Sequence, residues 1–207
     1  MTSRQPARLT VLAGPTAVGK GTVSADIRSR YPEVWLSVST TTRPPRPDEV
    51  EGVHYHFVDD TTFDRMVTEG AFLEWAVVHG NLYGTSRAEV EPPLEKGLDV
   101  LLDIDVQGAR QVRSHVPEAV KVIVFPPSRE VLEARLKARA SDAPEVVRRR
   151  LAAARKEMEE WGEFDYAIIN EDLEAAVDEL RSILVARRAG KSRRRERLES
   201  ILRSFAP

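Results

Sequence analysis

The chain has 207 residues, 42% of them apolar, which is room for one large domain or one domain carrying small inserted lids. Its 31 basic and 33 acidic residues leave a net charge of −2, which argues against a general nucleic-acid binder, and the absence of cysteine excludes disulfides, thiolate zinc sites and a cysteine nucleophile. No apolar run approaches the roughly 18–20 residues of a membrane span, and "MTSRQPARLT" lacks the apolar stretch of a signal peptide, so the expectation is a soluble, cytoplasmic protein.

The first element, "RLTVLAG", reads as a buried strand, and "GTVSADIRSRY" reads as a helix. Between them lies "GPTAVGKGT": Gly14, Pro15, Thr16, Ala17, Val18, Gly19, Lys20, Gly21 and Thr22. Glycine, four residues, glycine, lysine and a hydroxyl residue form a phosphate-binding pattern when strand and helix flank it. The glycines let successive N–H groups point inward. The helix adds its positive end, and Lys20 would reach the β- and γ-phosphates. The slot that normally carries the magnesium-binding hydroxyl holds Gly21. Thr22 is the next hydroxyl and the candidate contact to Mg2+, directly or through water.

Residues 39–92 interrupt the alternation of strands and helices. "TTTRPPRPDEVEGVHYHFVDD" is rich in proline and charge, and "AFLEWAVVHGNLYGTS" reads as two short strands turning near Gly80 and Asn81. The segment is expected to be a small insert with strands of its own. Arg43 and Arg46 flank two prolines that stiffen the loop, and two guanidinium forks can grip a phosphate. Glu74 alternates with apolar neighbours, which also fits a strand residue facing water. Tyr55 and Tyr83 also fit packing at a core edge. His54 and His56 share a strand face, but two ligands without a third make a weak metal site.

Beyond the insert, "GLDVLLDID", "AVKVIVF" and "DYAIIN" read as further strands with helices between most of them. The pattern predicts a mostly parallel sheet covered by helices, with right-handed crossovers. Asp103 and Asp105 end the first of these runs and would share a strand face. An acid at a strand end beside a phosphate loop suits a magnesium contact; the spacing does not decide which of the two serves it, and one arrangement has Asp103 holding the metal while Asp105 faces the acceptor. Val131, Leu132 and Leu136 predict a helix opened by Pro127 and Ser128. Val147 and Leu151 predict another, opened by Pro144, and Leu173, Val177, Leu180 and Leu184 a third. Arg135 and Arg139 fall four apart on one helix face. After Gly190, Leu198, Ile201, Leu202 and Phe205 give residues 191–207 the pattern of a basic amphipathic helix, packed on its own domain or kept for a partner.

Four separated stretches, "SVSTTTRPPR", "EGVHYHFV", "FLEWAVVHGNLYGTS" and "LLDIDVQGAR", resemble the guanylate kinase family in order and spacing, from about residue 8 to residue 189. The resemblance implies an α/β fold: a three-layer parallel sheet of the P-loop NTPase type. Its core would be 8–38 and 93–190, with a GMP-binding insert at 39–92 and a short helical lid near 139–144. It implies the reaction ATP + GMP → ADP + GDP with Mg2+. By resemblance, the catalytic residues are Lys20, Arg43, Arg139 and Arg150, and the ATP side is the loop 14–22 with Arg135, Arg139 and Asn170. Arg43, Arg46, Tyr55 and Tyr83 match positions that hold the GMP phosphate; Ser39, Glu74, Thr85 and Asp105 match those around guanine. Ala138 and Ala140 depart from the family's usual glycines at the lid. Arg148 and Arg149 are expected to be solvated.

The chemistry agrees with this assignment. Guanine presents N1–H and N2–H₂ as adjacent donors, and one carboxylate can accept both. Adenine has an acceptor at N1, so a carboxylate there is repelled. Discrimination from such a buried polar mismatch can reach ~10⁴. The attacking phosphate oxygen is already anionic, so no strong base is required, and positioning with charge compensation suffices. Two other readings compete: a domain of similar fold that binds phosphoproteins without catalysis, and a kinase for another small phosphate ester. Lys20 with both glycines disfavours the first, and Ser39 with Glu74 disfavours the second. Monomer and homo-oligomer stay equally open.

Overall fold

The computed structural model describes residues 8–78, 80–139 and 144–205, with the backbone alone at 139, 192 and 193. In chain order the elements are β1 (Leu9–Ala13), α1 (Lys20–Arg30), β2 (Val34–Leu36), β3 (Ser39–Thr41), β4 (Tyr55–Phe57), α2 (Asp60–Thr68), β5 (Phe72–Val78) and β6 (Asn81–Ser86). They continue with α3 (Arg87–Glu95), β7 (Asp99–Asp103), α4 (Val106–His115), β8 (Val120–Phe125), α5 (Arg129–Arg139), α6 (Pro144–Met158), β9 (Tyr166–Ile169), α7 (Leu173–Ala189) and α8 (Lys191–Ser204).

The main sheet has the order β2-β7-β1-β8-β9, with every pairing parallel. β1 lies at its centre and is buried along its whole length. Period-two alternation splits its side chains between two cores. Leu12 packs with residues of α1, α5, α6 and α7, among them Ile27, Leu132, Ala154 and Leu180. Leu9, Val11 and Ala13 pack on the opposite face with Val90 of α3 and Ala109 and Val112 of α4. Helices on both faces of a parallel sheet are the three-layer arrangement expected from the alternating pattern. Burial of each such leucine or valine contributes about 1.5–3 kcal/mol.

The segment between β2 and α3 builds a second, four-stranded sheet of order β4-β3-β6-β5. β5 and β6 form the antiparallel hairpin expected from "AFLEWAVVHGNLYGTS". Leu73 of β5 belongs to the same core cluster as Val112 of α4, so the small sheet is anchored on the helical layer of the large one. α7 carries the predicted apolar stripe inward: Val177, Leu180 and Leu184 are buried. α8 is helical as predicted, yet Leu198, Ile201, Leu202 and Phe205 are all substantially exposed. No helix among the described residues is long and apolar enough to cross a membrane.

Candidate active site

The loop between β1 and α1 has the backbone of a phosphate cradle. Gly14 sits at φ +143, where a Cβ would come within 2.6 Å of the Val124 carbonyl oxygen, so no larger residue fits. Ala17 adopts φ +67, a left-handed conformation that is costly for a side-chain-bearing residue and typical of ligand clamps. α2, α3, α4 and α7 begin on capping side chains, Asp59, Ser86, Asp105 and Asp172. α1 begins on Gly19 with no side-chain cap, which leaves first-turn N–H groups for an anion. Lys20 Nζ donates to the carbonyls of Gly14 (2.5 Å) and Pro15 (3.2 Å), folded over the loop.

Two residues assigned to the ATP side brace this loop. Asn170, buried just after β9, donates from Nδ2 to the Val18 carbonyl at 2.7 Å. Arg135 of α5 donates from Nη1 to the same carbonyl at 3.1 Å and from Nη2 to the Asn170 carbonyl at 3.0 Å. Arg150 lies half-buried on α6, whereas Arg148 and Arg149 are exposed, as expected of solvated positions. Arg139 ends α5. The lid expected near 139–144 falls largely on 140–143, outside the described residues.

Asp103 ends β7, and its Oδ2 accepts a hydrogen bond from the buried Ser24 Oγ at 3.2 Å. A Cβ on Gly21 would stand 3.8 Å from the same oxygen, so the helix start and the acid are adjacent. Thr22 is exposed on the first turn of α1. Ser24, which sequence reasoning passed over, is the α1 hydroxyl that touches Asp103. Asp105 does not share a strand face with Asp103: β7 stops at Asp103, and Asp105 caps α4 through Oδ1, which accepts from Gly108 N at 2.7 Å. No group of three or more His, Cys, Asp or Glu capable of holding a metal occurs among the described residues. His54 and His56 instead take local partners, Val50 N and the Glu51 carboxylate.

The acceptor side is built on the small sheet. All three guanidinium nitrogens of Arg43 are engaged: Nε with Tyr83 Oη (3.2 Å), Nη1 with the Pro44 carbonyl (2.6 Å), and Nη2 with both Glu49 oxygens (2.7 and 2.8 Å). Its Cζ stands 5.3 Å from the Tyr55 ring centroid, and the Tyr55 and Tyr83 rings meet edge to face at 5.9 Å. Arg46 is exposed, 3.7 Å from Glu49, and donates its N–H to Glu49 at 2.8 Å. Burial disfavours the Glu49 charge, but the Arg46 N–H and the Arg43 guanidinium outweigh it and hold the carboxyl below its usual range. Nothing in the spacing points to Glu49 as a member of this cluster, because the chain must fold back through "RPDE" to bring it there.

Glu74 is 4% exposed, so the water-facing alternative for this strand residue is excluded. Its Oε1 accepts from Thr85 Oγ1 at 2.5 Å across the β5–β6 pair. Burial pushes its carboxyl up to about 7, the Asp105 charge adds to the rise, and the Thr85 bond opposes it. Burial also raises the Asp105 carboxyl, opposed by the Gly108 N–H and the positive Lys20. Ser39 lies half-buried at the start of β3, in register with Tyr55. Glu157 of α6 is a further acid in this field: burial raises its carboxyl, with Lys20 opposing and Asp105 reinforcing the rise.

A phosphate loop at the end of a central parallel strand, joined to a small sheet carrying a fixed arginine and a buried carboxylate, defines a P-loop nucleoside monophosphate kinase. The family model for guanylate kinase matches residues 6–187. The chain is 53% identical to a guanylate kinase of Thermobifida fusca over 182 residues, covering 88% of this chain and 93% of that protein. It is 50% identical to a guanylate kinase of a Synechococcus strain over 174 residues, covering 84% and 92%. A crystal structure of guanylate kinase from Anaplasma phagocytophilum superposes with a TM-score of 0.76 at 33% identity, covering 95% of this chain and 96% of that one. The chain belongs to the guanylate kinase family.

Proposed function

We infer that the chain transfers the γ-phosphoryl group of ATP to GMP, giving ADP and GDP, and that its two lobes divide the work. The loop 14–22 receives the ATP phosphates on the first-turn N–H groups of α1, and Lys20 turns from the Gly14 and Pro15 carbonyls to the β- and γ-phosphates. Arg135 and Asn170 keep the loop in shape through the Val18 carbonyl, a positioning role beside any contact with the nucleotide. Arg43, Arg46, Tyr55 and Tyr83 take the GMP phosphate. Ser39, Glu74, Thr85 and Asp105 take the guanine.

The attacking oxygen belongs to a phosphate that is already anionic, so the residues position and neutralise and need not remove a proton. Arg43, Lys20, Arg139 and Arg150 offset the repulsion between two polyanions brought end to end. Water competes as acceptor, and closure of the insert 39–92 over the substrates would exclude it.

The residues at the β7 end fit a magnesium ion. Mg2+ takes one or two protein carboxylates and completes its shell with water and phosphate oxygens, which suits a single acid beside a phosphate loop. Asp103, oriented by Ser24, would hold it, with Thr22 as the nearby hydroxyl that could contact it directly or through water. A bound ion would supply positive charge to offset the charge that develops on the phosphates during transfer. The cysteine-free composition suits a reducing cytoplasm as the place of work.

The buried Glu74 carries the assignment of substrate: it is a carboxylate held by Thr85 that can accept two adjacent donors from a base. The test is ADP release from purified protein with ATP and Mg2+ and each of GMP, AMP, UMP and CMP in turn. Turnover with GMP far above the other three is expected. Equal turnover with AMP would remove the guanine assignment.

A further inference from the structure

The strand that carries Glu74 is held from outside its own sheet. β5 is an edge strand, so one side of its backbone has no strand partner. The register with β6 shifts between Phe72 and Glu74: Phe72 opposes Ser86, Glu74 opposes Thr85, and Leu73 is the extra residue of a bulge. Such a bulge re-aims side chains and takes peptide groups out of the ladder. Here it sends Leu73 into the main core while Glu74 meets Thr85.

The peptide groups on either side of Glu74 are both taken by α4. The carbonyl of Leu73 accepts from His115 Nδ1 at 2.9 Å. Trp75 donates its N–H to Gln111 Oε1 at 3.2 Å, and its carbonyl accepts from Gln111 Nε2 at 2.6 Å. One side-chain amide thus satisfies both backbone groups of Trp75, as a neighbouring strand would. Residues 105, 108, 111 and 115 recur at steps of three and four and lie on one helix face. Asp105 caps the helix, and Gly108 faces the Glu74 carboxylate so closely that an added Cβ would come 2.2 Å from Oε2. The geometry therefore gives one face of α4 two tasks: it presents Asp105 and it backs Glu74.

We propose that Gln111 and His115 are positioning residues for Glu74, fixing the height and tilt of its carboxylate so that it accepts two adjacent base donors and rejects a base with an acceptor in place of one of them. The proposal rests on the assignment of Glu74 to guanine. It accounts for three features at once: an edge strand whose free groups are capped by side chains, a bulge placed at the residue before Glu74, and a glycine where α4 passes the carboxylate. A carboxylate on an uncapped edge strand could shift by the fraction of an ångström that separates a two-point contact from a one-point contact.

The experiment compares kcat/KM for GMP with that for AMP in wild type, Gln111→Ala, His115→Ala, Gly108→Ala and Glu74→Gln, with KM for ATP and thermal midpoints measured alongside. Gln111→Ala is expected to raise KM for GMP and lower the GMP-over-AMP ratio roughly tenfold, the scale of one or two lost net hydrogen bonds. KM for ATP and kcat at saturating GMP stay near wild type. His115→Ala moves the ratio the same way by less. Gly108→Ala reaches the carboxylate by a different route and lowers the ratio at least as far. If Gln111→Ala and His115→Ala keep the wild-type ratio and lower only the thermal midpoint, α4 is an edge cap and nothing more, and the proposal is overturned. If Glu74→Gln itself leaves the ratio unchanged, the guanine assignment falls and the proposal falls with it. A ratio lost in Glu74→Gln but intact in Gln111→Ala sinks the positioning role alone.

Discussion

Thr85 Oγ1 donates to Glu74 Oε1 at 2.5 Å, and both residues are buried. The bond joins two strands of the small sheet, orients the carboxylate and favours its charged form. Thr85→Val keeps the volume and removes the donor. It is expected to move the Glu74 titration upward from about 7, so that GMP binding at neutral pH weakens several-fold. Thr85→Ser, which keeps the hydroxyl, stays near wild type. The pH profile of KM for GMP in the three proteins is the check, and coincident profiles for Val and Thr would remove the coupling.

Glu74 gives the wild-type protein a pH dependence of definite sign. On the proposed assignment of Glu74 to guanine the carboxylate form is the acceptor, so KM for GMP should fall as pH rises through about 7 and level off above it. The GMP phosphate titrates nearby, and the ratio of wild type to Glu74→Gln cancels that contribution. Stability runs the other way. The folded-state pKa lies above the ordinary value of 4.5, so between about 4.5 and 7 the folded protein holds the extra proton. Stability contributed by this group therefore declines as pH rises across that window, and Glu74→Gln should flatten the decline in urea-melt midpoints. Asp105 has the same sign of shift and leaves a residual slope.

Lys20 is the cation folded over the loop, bonded to the Gly14 and Pro15 carbonyls. Lys20→Ala is expected to lower kcat by ~10²-fold or more, the scale of a removed charge-stabilising donor. Near-normal turnover in that variant would take Lys20 out of the mechanism.

Gly19 is placed where a side chain would be strained and would displace Asn170. It lies at φ +99, and a Cβ there would meet Asn170 Nδ2 at 2.2 Å. Gly19→Ala is expected to cost about 1–2 kcal/mol from the left-handed backbone alone, or roughly 2–8 °C in Tm for a chain of this size. KM for ATP should rise, because Asn170 must release the Val18 carbonyl. Calorimetry and ATP kinetics on the same preparation test both halves.

Ser24 tests the metal end. Ser24→Ala removes the hydroxyl that donates to Asp103 Oδ2. Partners of a metal-binding acid commonly contribute 10–100-fold to metal affinity or activity. Half-saturating Mg2+ is therefore expected to rise about tenfold at fixed ATP, with KM for GMP unchanged. An unaltered Mg2+ titration would free Asp103 from that role.

Much of this protein is set by local sequence. The loop Gly14–Thr22 must follow a buried strand and open a helix, because only glycine reaches φ +143 against the Val124 carbonyl and only an uncapped helix start leaves its donors free. The apolar runs of β1, β7, β8 and β9 and the stripe Val177, Leu180, Leu184 carry their periods in the chain itself. Strands of three residues such as β2 and β3 carry no readable period. The charge state and surroundings of Glu74, the pairing of Ser24 with Asp103 and the grip of Glu49 on Arg43 are contacts across 11, 79 and 6 positions. A side chain's spacing fixes which face it occupies, but its pKa and its partner depend on what the fold brings against that face. Glu74 alternates among apolar residues like any solvated strand position. Only the closure of α4 and β6 over it turns an ordinary carboxylate into a buried one near neutrality.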